Sequence, residues 1–515
     1  MSNGITKGIT NGITNINKCI KLLGYRTLKS NIFNIEKLKI NNTTENIIRG
    51  GKENYHLLNR GFSNIKQIGI IGWGSQAPSQ VQNLNDTLRS INSDIKIKVG
   101  LRENSSSWKK VINTQGLSSD NVGEISKVLH ESDMNIILIS DYAQATNYDF
   151  IFKHIRPNTT LGFSHGFLLG HLDNIGISFP KDINVVMMAP KGMGPSLRKC
   201  YLQNSGINSS ISVYQDIDGT ALDKVLSWGI GVGSPYIFET SMKEEYISDL
   251  FGERAILLGG IHGIVEYLFR DFIIKLTHPE KAFVMSVKNL TSVINEKISK
   301  DGLLQLYIDL NECDKQEFRT YYSKSYNICK ELFTEIYDEV NYGNEIRSVI
   351  LNGNRYFKKI DNSYMWKIGN NLYKNNFEEY SKSNLNLNSD DSKSTYYLKN
   401  NICAKTAGIY IGGMMAQIDI LLNNGHSYSE IVNESIIEAT DSLNPYMDER
   451  GIAHMIDNCS TTARLGARKW APRLDYLLQQ NMDLSLKKDD ESEIINKFTN
   501  HKIHTAIKTL YKFKV

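Results

Sequence analysis

Proline is scarce in this chain, with 9 in 515 residues. So few helix breakers leave long helices free to run, and argue against a proline-rich linker or scaffold. The six cysteines (Cys19, Cys200, Cys313, Cys329, Cys403, Cys459) are scattered and form no C-x-x-C pair. That excludes a disulfide framework and the usual zinc spacings, and points to free thiols in a reducing compartment. No apolar run approaches the roughly 18 residues needed to cross a membrane, and there is no secretory apolar core. A strong basic excess is also missing from the body of the chain. Residues 1–50 carry eight Lys/Arg against Glu36 and Glu45, a net +6 in a chain of net charge +4, which leaves the remainder at −2. Charge therefore excludes a nucleic-acid-binding body.

What is present begins with length and apolar content. At 515 residues and 41% hydrophobic, two or more domains with sizeable cores are expected. Residues 1–61 lack a sustained apolar period and repeat Asn-Gly-Ile-Thr at 3–6 and 11–14. Basic, acid-poor and rich in hydroxyl and amide groups, they fit an organelle transit peptide, plastid before mitochondrion, or an asparagine-biased extension. From 62 to 234 apolar strands alternate with helices. Strands are expected at Ile68–Ile71, Ile95–Gly100, Met134–Ser140, Thr160–Ser164, Ile183–Ala189, Ile211–Tyr214 and near 228–233, with a first helix over 78–90. This alternation predicts a parallel, doubly wound α/β sheet that binds ligands beyond the carboxyl ends of its strands. From 235 to 515 helical periodicity takes over, at 243–275, 280–300, 328–341, 404–424 and 427–442. A polar stretch at 379–401 reads as a surface loop.

The first strand ends in Gly72-x-Gly74-x-x-Ala77, a dinucleotide fingerprint. Gly72 permits the tight turn, Gly74 a close approach to a pyrophosphate, and Ala77 close helix packing. Gly72, Gly74, Ser75 and Gln76 are the expected phosphate contacts, with Ser140 and Gln144 further along the same strand edge. Alone, such a motif also serves as a plain turn. The second strand ends in Gly100-Leu-Arg102-Glu-Asn-Ser105-Ser-Ser107. Arginine with hydroxyls suits a 2′-phosphate and so NADP, although Glu103 could take a ribose instead. His165 and Lys191 each follow a strand and stand beside glycine, where sheet ligands bind. Asp249 and Glu253 lie at i, i+4 on one helix face, as do Glu434 and Glu438. Hard oxygen ligands of this kind suit Mg2+, while a solvated acidic face is the plainer alternative.

A weak internal repeat links these pairs. Arg254–Gly260 resembles Ala407–Gly413 at an offset of 153, and Asp301-Gly302 resembles Arg450-Gly451 at 149. Under those offsets Asp249 and Glu253 map to Ile402 and Thr406, and Glu434 and Glu438 to Met285 and Asn289. Each copy then keeps half of a metal site, and the two halves together supply four carboxylates.

At these residues, over about 62–510, the sequence resembles ketol-acid reductoisomerase (acetohydroxyacid isomeroreductase) in its long, plant-type form. The motifs are Gly72–Pro78, Ser164–His171, Pro190–Pro195, Asp249–Arg254, His426–Ser435 and Asn458–Gly466. The resemblance implies a Rossmann-type domain followed by a knotted, internally duplicated all-α domain. It implies that Arg102, Ser105 and Ser107 clamp the NADPH 2′-phosphate, and that Asp249 bridges two Mg2+ with Glu253 on one and Glu434 on the other. Glu438 and Ser460 become substrate contacts, Lys191 a base or water holder, and His165 a neighbour of the nicotinamide. Ala77 departs from the family's usual glycine. The implied reaction is a Mg2+-dependent alkyl migration of 2-acetolactate or 2-aceto-2-hydroxybutyrate, then reduction by NADPH to the 2,3-dihydroxy acid of valine and isoleucine synthesis. The expected partner is a small acetohydroxy acid, with no nucleic acid or membrane, in a homodimer. An NADP-dependent 2-hydroxy-acid dehydrogenase without isomerase activity is the competing reading.

Overall fold

The computed structural model describes residues 28–276, 278–357, 401–484 and 486–514. Most of the polar stretch 379–401, and residues 1–27, lie outside them. Ten strands form one sheet: β1 (Glu36–Ile40), β2 (Thr43–Arg49), β3 (Gln67–Ile71), β4 (Lys96–Leu101), β5 (Val122–Glu124), β6 (Met134–Ile137), β7 (Thr160–Phe163), β8 (Asn184–Pro190), β9 (Ser209–Gln215) and β10 (Tyr236–Glu239). Their spatial order is β1-β2-β10-β9-β8-β7-β6-β3-β4-β5. The run β5-β4-β3-β6-β7-β8 is parallel. Chain order reverses between β3 and β6, so the crevice at their carboxyl ends is where a dinucleotide fits. Apolar side chains bury both faces of these strands, as a parallel sheet covered by helices requires.

Three expectations need correcting. The stretch 228–233 is not a strand but the end of the helix Ala221–Gly231 and the turn after it. Every residue of that helix is buried, so its apolar run carries no period that separates helix from strand. The strand follows at β10, after Gly233 turns the chain at φ 96°. Second, β9 runs antiparallel to β8, inside the sheet between β8 and β10, so the sheet is mixed rather than wholly parallel. Third, part of the stretch 1–61, expected to be an N-terminal extension, is folded onto the sheet. Residues 36–49 form a hairpin, β1–β2, which joins the sheet antiparallel to β10. Ile40, Ile47 and Ile48 are buried there. Ahead of the hairpin, Ser30 donates to Asp223 and accepts from Phe33 N, and Phe33 is buried. Residues 28–61 therefore belong to the fold.

Beyond β10 the described chain is helical. Glu312–Asn341 runs 30 residues, longer than expected, and packs on Ala404–Asn423. A Cβ at Gly412 would fall 2.9 Å from Tyr322 O, so the two helices cross with almost nothing between their backbones. Two pairs of short helices lie 149 residues apart. Asn295–Asp301 and Leu303–Ile308 correspond to Asn444–Arg450 and Ile452–Asn458. The joining glycines, Gly302 and Gly451, share an unusual backbone at φ 85°, ψ 172° and φ 96°, ψ 148°. Asn444 donates to its counterpart Asn295 at 2.8 Å. Met285, Asn289 and Thr406, the positions mapped from the carboxylates, also come together: Thr406 donates to Met285 O at 2.8 Å, and Asn289 accepts from Cys403 N at 2.8 Å.

Candidate active site

The carboxyl edge of the sheet gathers the fingerprint, His165 and Lys191. Gly72 follows β3 with φ 106°, and a Cβ there would fall 2.7 Å from Ile139. Only glycine lets the loop pass so close to the end of β6. Gln76, at the start of the helix Ala77–Ser90, donates to Gly192 O at 2.9 Å and ties this loop to the one bearing Lys191. Ser140 caps the helix Asp141–His154, accepting from Ala143 N at 3.4 Å. Gln144, one turn on, is buried and donates to Ile139 O at 3.0 Å. Arg102 is exposed just past β4, Ser105 sits in the adjoining turn and Ser107 begins the helix Ser107–Ile112. Ser105 N donates to Arg102 O, and Ser107 N to Ser105 Oγ. The three thus stand together at the outer end of the crevice.

Two helical segments cover the inner end. One is Met242–Arg254, started by a Ser241 cap on Glu244 N. It carries Glu245, Asp249 and Glu253 at i, i+4, i+8. The other starts at Tyr428 and passes at Asn433 into two π-helical turns, a distortion common at functional sites. It carries Glu430, Glu434 and Glu438 at the same spacing. Glu245 and Glu430 were not singled out in the sequence. The signal was available: each extends a recognised pair by one turn on the same face.

Glu245 is the hub on the sheet side. Its Oε2 accepts from Gly166 N at 2.7 Å and lies 3.1 Å from His165 Nδ1. Its Oε1 lies 3.5 Å from Lys191 Nζ. Asp249 Oδ2 is 3.3 Å from the same His165 nitrogen, and Glu434 Oε1 is 2.5 Å from Lys191 Nζ. Lys191 is thus shared by the two acidic segments. Burial opposes its charge, but Glu434, then Glu245, keep its ammonium protonated well above the usual lysine range. Burial likewise opposes a charged His165, and Glu245, then Asp249, outweigh it. Glu245 is itself buried, yet His165 and Lys191 pull it down to about 2.

The other carboxylates move the opposite way. Burial, with Asp249 as neighbour, lifts Glu253 well above the carboxylate range. Burial, with Glu434 and Asp249 nearby, does the same to Glu438. Burial lifts Asp249. Glu434 is pushed up to about 7, burial prevailing over Lys191. Glu434 Oε2 and Glu438 Oε2 have no partner, and Glu434 Oε1 meets Lys191. Against these four carboxyls stand Lys191 on Glu434, His165 on Asp249 and, at 3.5 Å, Arg254 on Glu253, and burial still keeps all four raised. Divalent cations would add positive charge there, and an all-oxygen donor set suits Mg2+ rather than zinc. A tighter cluster, His165 with Glu245 and Asp249, has ligand atoms all within 4.8 Å. Ser460 stands at the start of the helix Thr461–Asn481, where its Oγ accepts from Ala463 N at 3.0 Å and its proton stays free to donate.

The comparisons with known proteins agree with this geometry. The family model "Acetohydroxy acid isomeroreductase, NADPH-binding domain" matches residues 63–236. "Ketol-acid reductoisomerase, C-terminal domain" matches 242–377 and 404–513. The chloroplastic ketol-acid reductoisomerase of Pisum sativum is 44% identical over 498 residues, 93% of this chain and 82% of that protein. That of Spinacia oleracea is 45% identical over 497 residues, 93% of this chain and 80% of that protein. Among solved structures, an NADH-preferring ketol-acid reductoisomerase from an uncultured archean shares the fold, at 23% identity and a TM-score of 0.50, covering 67% of this chain and 93% of that one. With both of its halves matched, this chain belongs to the ketol-acid reductoisomerase family.

Proposed function

We propose that this chain converts 2-acetolactate or 2-aceto-2-hydroxybutyrate into the 2,3-dihydroxy acid, by Mg2+-dependent alkyl migration followed by reduction with NADPH. One observation carries the reading: Asp249, Glu253, Glu434 and Glu438 gather in one place, Glu434 buried and the other three half-buried, and all four are raised despite Lys191, His165 and Arg254 beside them. Bound Mg2+ would supply Lewis acidity toward the carbonyl and hydroxyl oxygens of the substrate. Asp249 would bridge two ions, with Glu253 on one and Glu434 on the other. Glu438 and the Ser460 hydroxyl would meet the substrate. Lys191 holds a proton at Nζ against Glu434. His165 keeps Nδ1 on Glu245 and Asp249 and leaves Nε2 without a partner, so a proton there is available at the reacting end of the crevice. Arg102, Ser105 and Ser107 would grip the 2′-phosphate and set the preference for NADPH.

The helical part is proposed to be an internal duplication in which each copy contributes one acidic segment. Pea and spinach relatives named as chloroplastic, with the basic N-terminal composition, support a plastid location and a transit peptide within residues 1–27. NADPH oxidation with 2-acetolactate, with and without Mg2+, tests the activity. Turnover that needs Mg2+ is expected; equal turnover without the metal would overturn the reading.

A further inference from the structure

The hairpin β1–β2 lies before residue 63, where the family match begins, yet it reaches the helical part. The helix that carries Glu434 and Glu438 starts at Tyr428, and its first amide hydrogens need acceptors. Glu45, on β2, takes two of them: Oε1 accepts from Tyr428 N at 2.7 Å and Oε2 from Ser429 N at 3.0 Å. The third, Glu430 N, goes to Ser427 Oγ at 3.2 Å, and Ile431 N to Ser427 O at 2.9 Å. A carboxylate at this end also meets the positive end of the helix dipole. A second tie comes from the neighbouring strand, where the Tyr236 hydroxyl lies 2.6 Å from Ser429 Oγ.

The helix start in turn fixes the spacing between the two acidic segments. Glu430 Oε1 accepts from Ser248 Oγ at 2.9 Å and from Thr240 Oγ1 at 3.1 Å. Ser248 is the residue before Asp249. One turn beyond Glu430, Glu434 meets Lys191 through Oε1 at 2.5 Å, and its Oε2 has no partner. Its placement relative to Asp249 is therefore set by Lys191 and by the helix on which it stands.

Resting on the metal site proposed above, we infer that Glu45 and Tyr236 are positioning residues for that site: the sheet edge sets the Glu434 helix through its first turn. Partners behind a metal's ligands commonly change affinity by about 10- to 100-fold when removed. Glu45→Gln keeps the shape but turns an amide N–H2 toward amide donors. Mg2+ affinity should fall about tenfold or more, while NADPH affinity stays unchanged. Tyr236→Phe, which loses one hydroxyl, should weaken Mg2+ in the same direction by less. Glu36→Gln, on β1 and bonded to Arg49, should change neither.

The measurement is calorimetric titration of the full chain with Mg2+ and, separately, with NADPH. Wild type and Glu434→Gln are titrated alongside. Wild type that fails to bind Mg2+ would sink the metal site itself. Wild type that binds, Glu434→Gln that loses binding, and Glu45→Gln that matches wild type would overturn only the positioning role. A loss of Mg2+ and NADPH affinity together would also overturn it, as a general weakening of the fold. Should Glu45→Gln not yield soluble protein, Tyr236→Phe decides: unchanged Mg2+ affinity refutes the role, and a selective loss supports it.

Discussion

The two acidic segments share a spacing but not a chemistry along it. On each, the first member is lowered by its neighbours and the next two are raised by burial. Glu245 accepts from Gly166 N and faces His165 and Lys191, which hold it down at about 2. Glu430 meets His426 Nδ1 at 3.0 Å as well as Ser248 and Thr240, and stays below the usual carboxylate range although burial opposes this. One turn on, Asp249 and Glu434 rise, and two turns on, Glu253 and Glu438 rise further. The first glutamates are anchors with several hydrogen-bond partners each. Among the later ones, Asp249 meets His165, Glu434 meets Lys191 and Glu253 meets Arg254, and all of them stay raised. The anchors differ too. Glu245 binds the helical segment to the sheet, through loops after β7 and β8. Glu430 binds one acidic segment to the other. Gln417 adds to that second tie, donating to Glu434 O at 3.0 Å and accepting from Ile256 N at 3.0 Å.

Asp249→Asn should break the comparison most completely. Asp249 is the proposed bridge, and its charge would be seen by both ions. Both the migration of acetolactate and the direct reduction of 3-hydroxy-3-methyl-2-oxobutanoate should be abolished. Glu434→Gln should slow migration more than reduction, because migration needs polarisation at two substrate oxygens. A loss of about 3 kcal/mol lowers a rate roughly a hundredfold, so the split is measurable. Equal slowing of both reactions by Glu434→Gln would defeat the proposed division. Near-normal rates for Asp249→Asn would mean the metal site is misplaced.

Next in size come the anchors. Glu245→Gln leaves His165 and Lys191, both buried, without their shared counter-charge. Breaking a buried pair in this way typically costs about 3–5 kcal/mol. The melting temperature should fall clearly, in calorimetry with and without Mg2+. Glu430→Gln keeps an oxygen for Ser248 and Thr240 and should cost less. Equal losses would remove the distinction between an anchor to the sheet and an anchor between helices.

Much of this contrast was legible in the sequence, and the missing part has physical causes. Parallel strands announce themselves as apolar runs ending in glycine, so β3, β4 and β6 to β8 and the crevice they frame could be placed. Asp249 with Glu253, and Glu434 with Glu438, stood out as i, i+4 pairs. Glu245 and Glu430 did not, because their role depends on His165, Lys191 and His426, which lie on other elements. The hairpin β1–β2 was hidden by its own edge position. Lys37, Lys39 and Arg49 lie on its two strands, charges of the kind that discourage edge-to-edge pairing. In composition such a segment is indistinguishable from a basic leader. The helix Glu312–Asn341 begins with a charged turn, and only the contact with Ala404–Asn423 shows that its first half is packed.

The comparison also predicts a pH dependence. A carboxyl raised in the fold costs stability once the unfolded chain ionises. For Glu434 that cost appears above its ordinary value of 4.5, grows with pH, and is complete above about 7. For Glu245 the sign is reversed: its contribution is complete above 4.5 and is lost only as pH falls through about 2. Between pH 6 and 8 the anchor is therefore constant and Glu434 changes. Mg2+ should raise the melting temperature more at pH 8 than at pH 6, and its binding should release protons at pH 6. A Mg2+ shift that is the same at both pH values would contradict the raised state of the later carboxylates.

The smallest effect is expected at the outer end of the crevice, far from both acidic segments. Arg102 is exposed, in a turn with Ser105 and next to the helix that Ser107 begins, and would meet only the 2′-phosphate. A hydrogen bond to a charged group contributes about 1.5–3 kcal/mol, so the wild-type chain should prefer NADPH over NADH by roughly tenfold or more in kcat/KM. Arg102→Asp places a carboxylate where that phosphate would lie. It should narrow or reverse the ratio, mostly through KM for NADPH, and leave Mg2+ affinity and the melting temperature unchanged. Because the turn makes no contact with the carboxylates, the two sites should vary independently: Asp249→Asn should leave the cofactor ratio of binding constants intact. A wild-type chain that prefers NADH would refute the clamp. A change in Mg2+ affinity on Arg102→Asp would show that the two ends of the crevice are coupled.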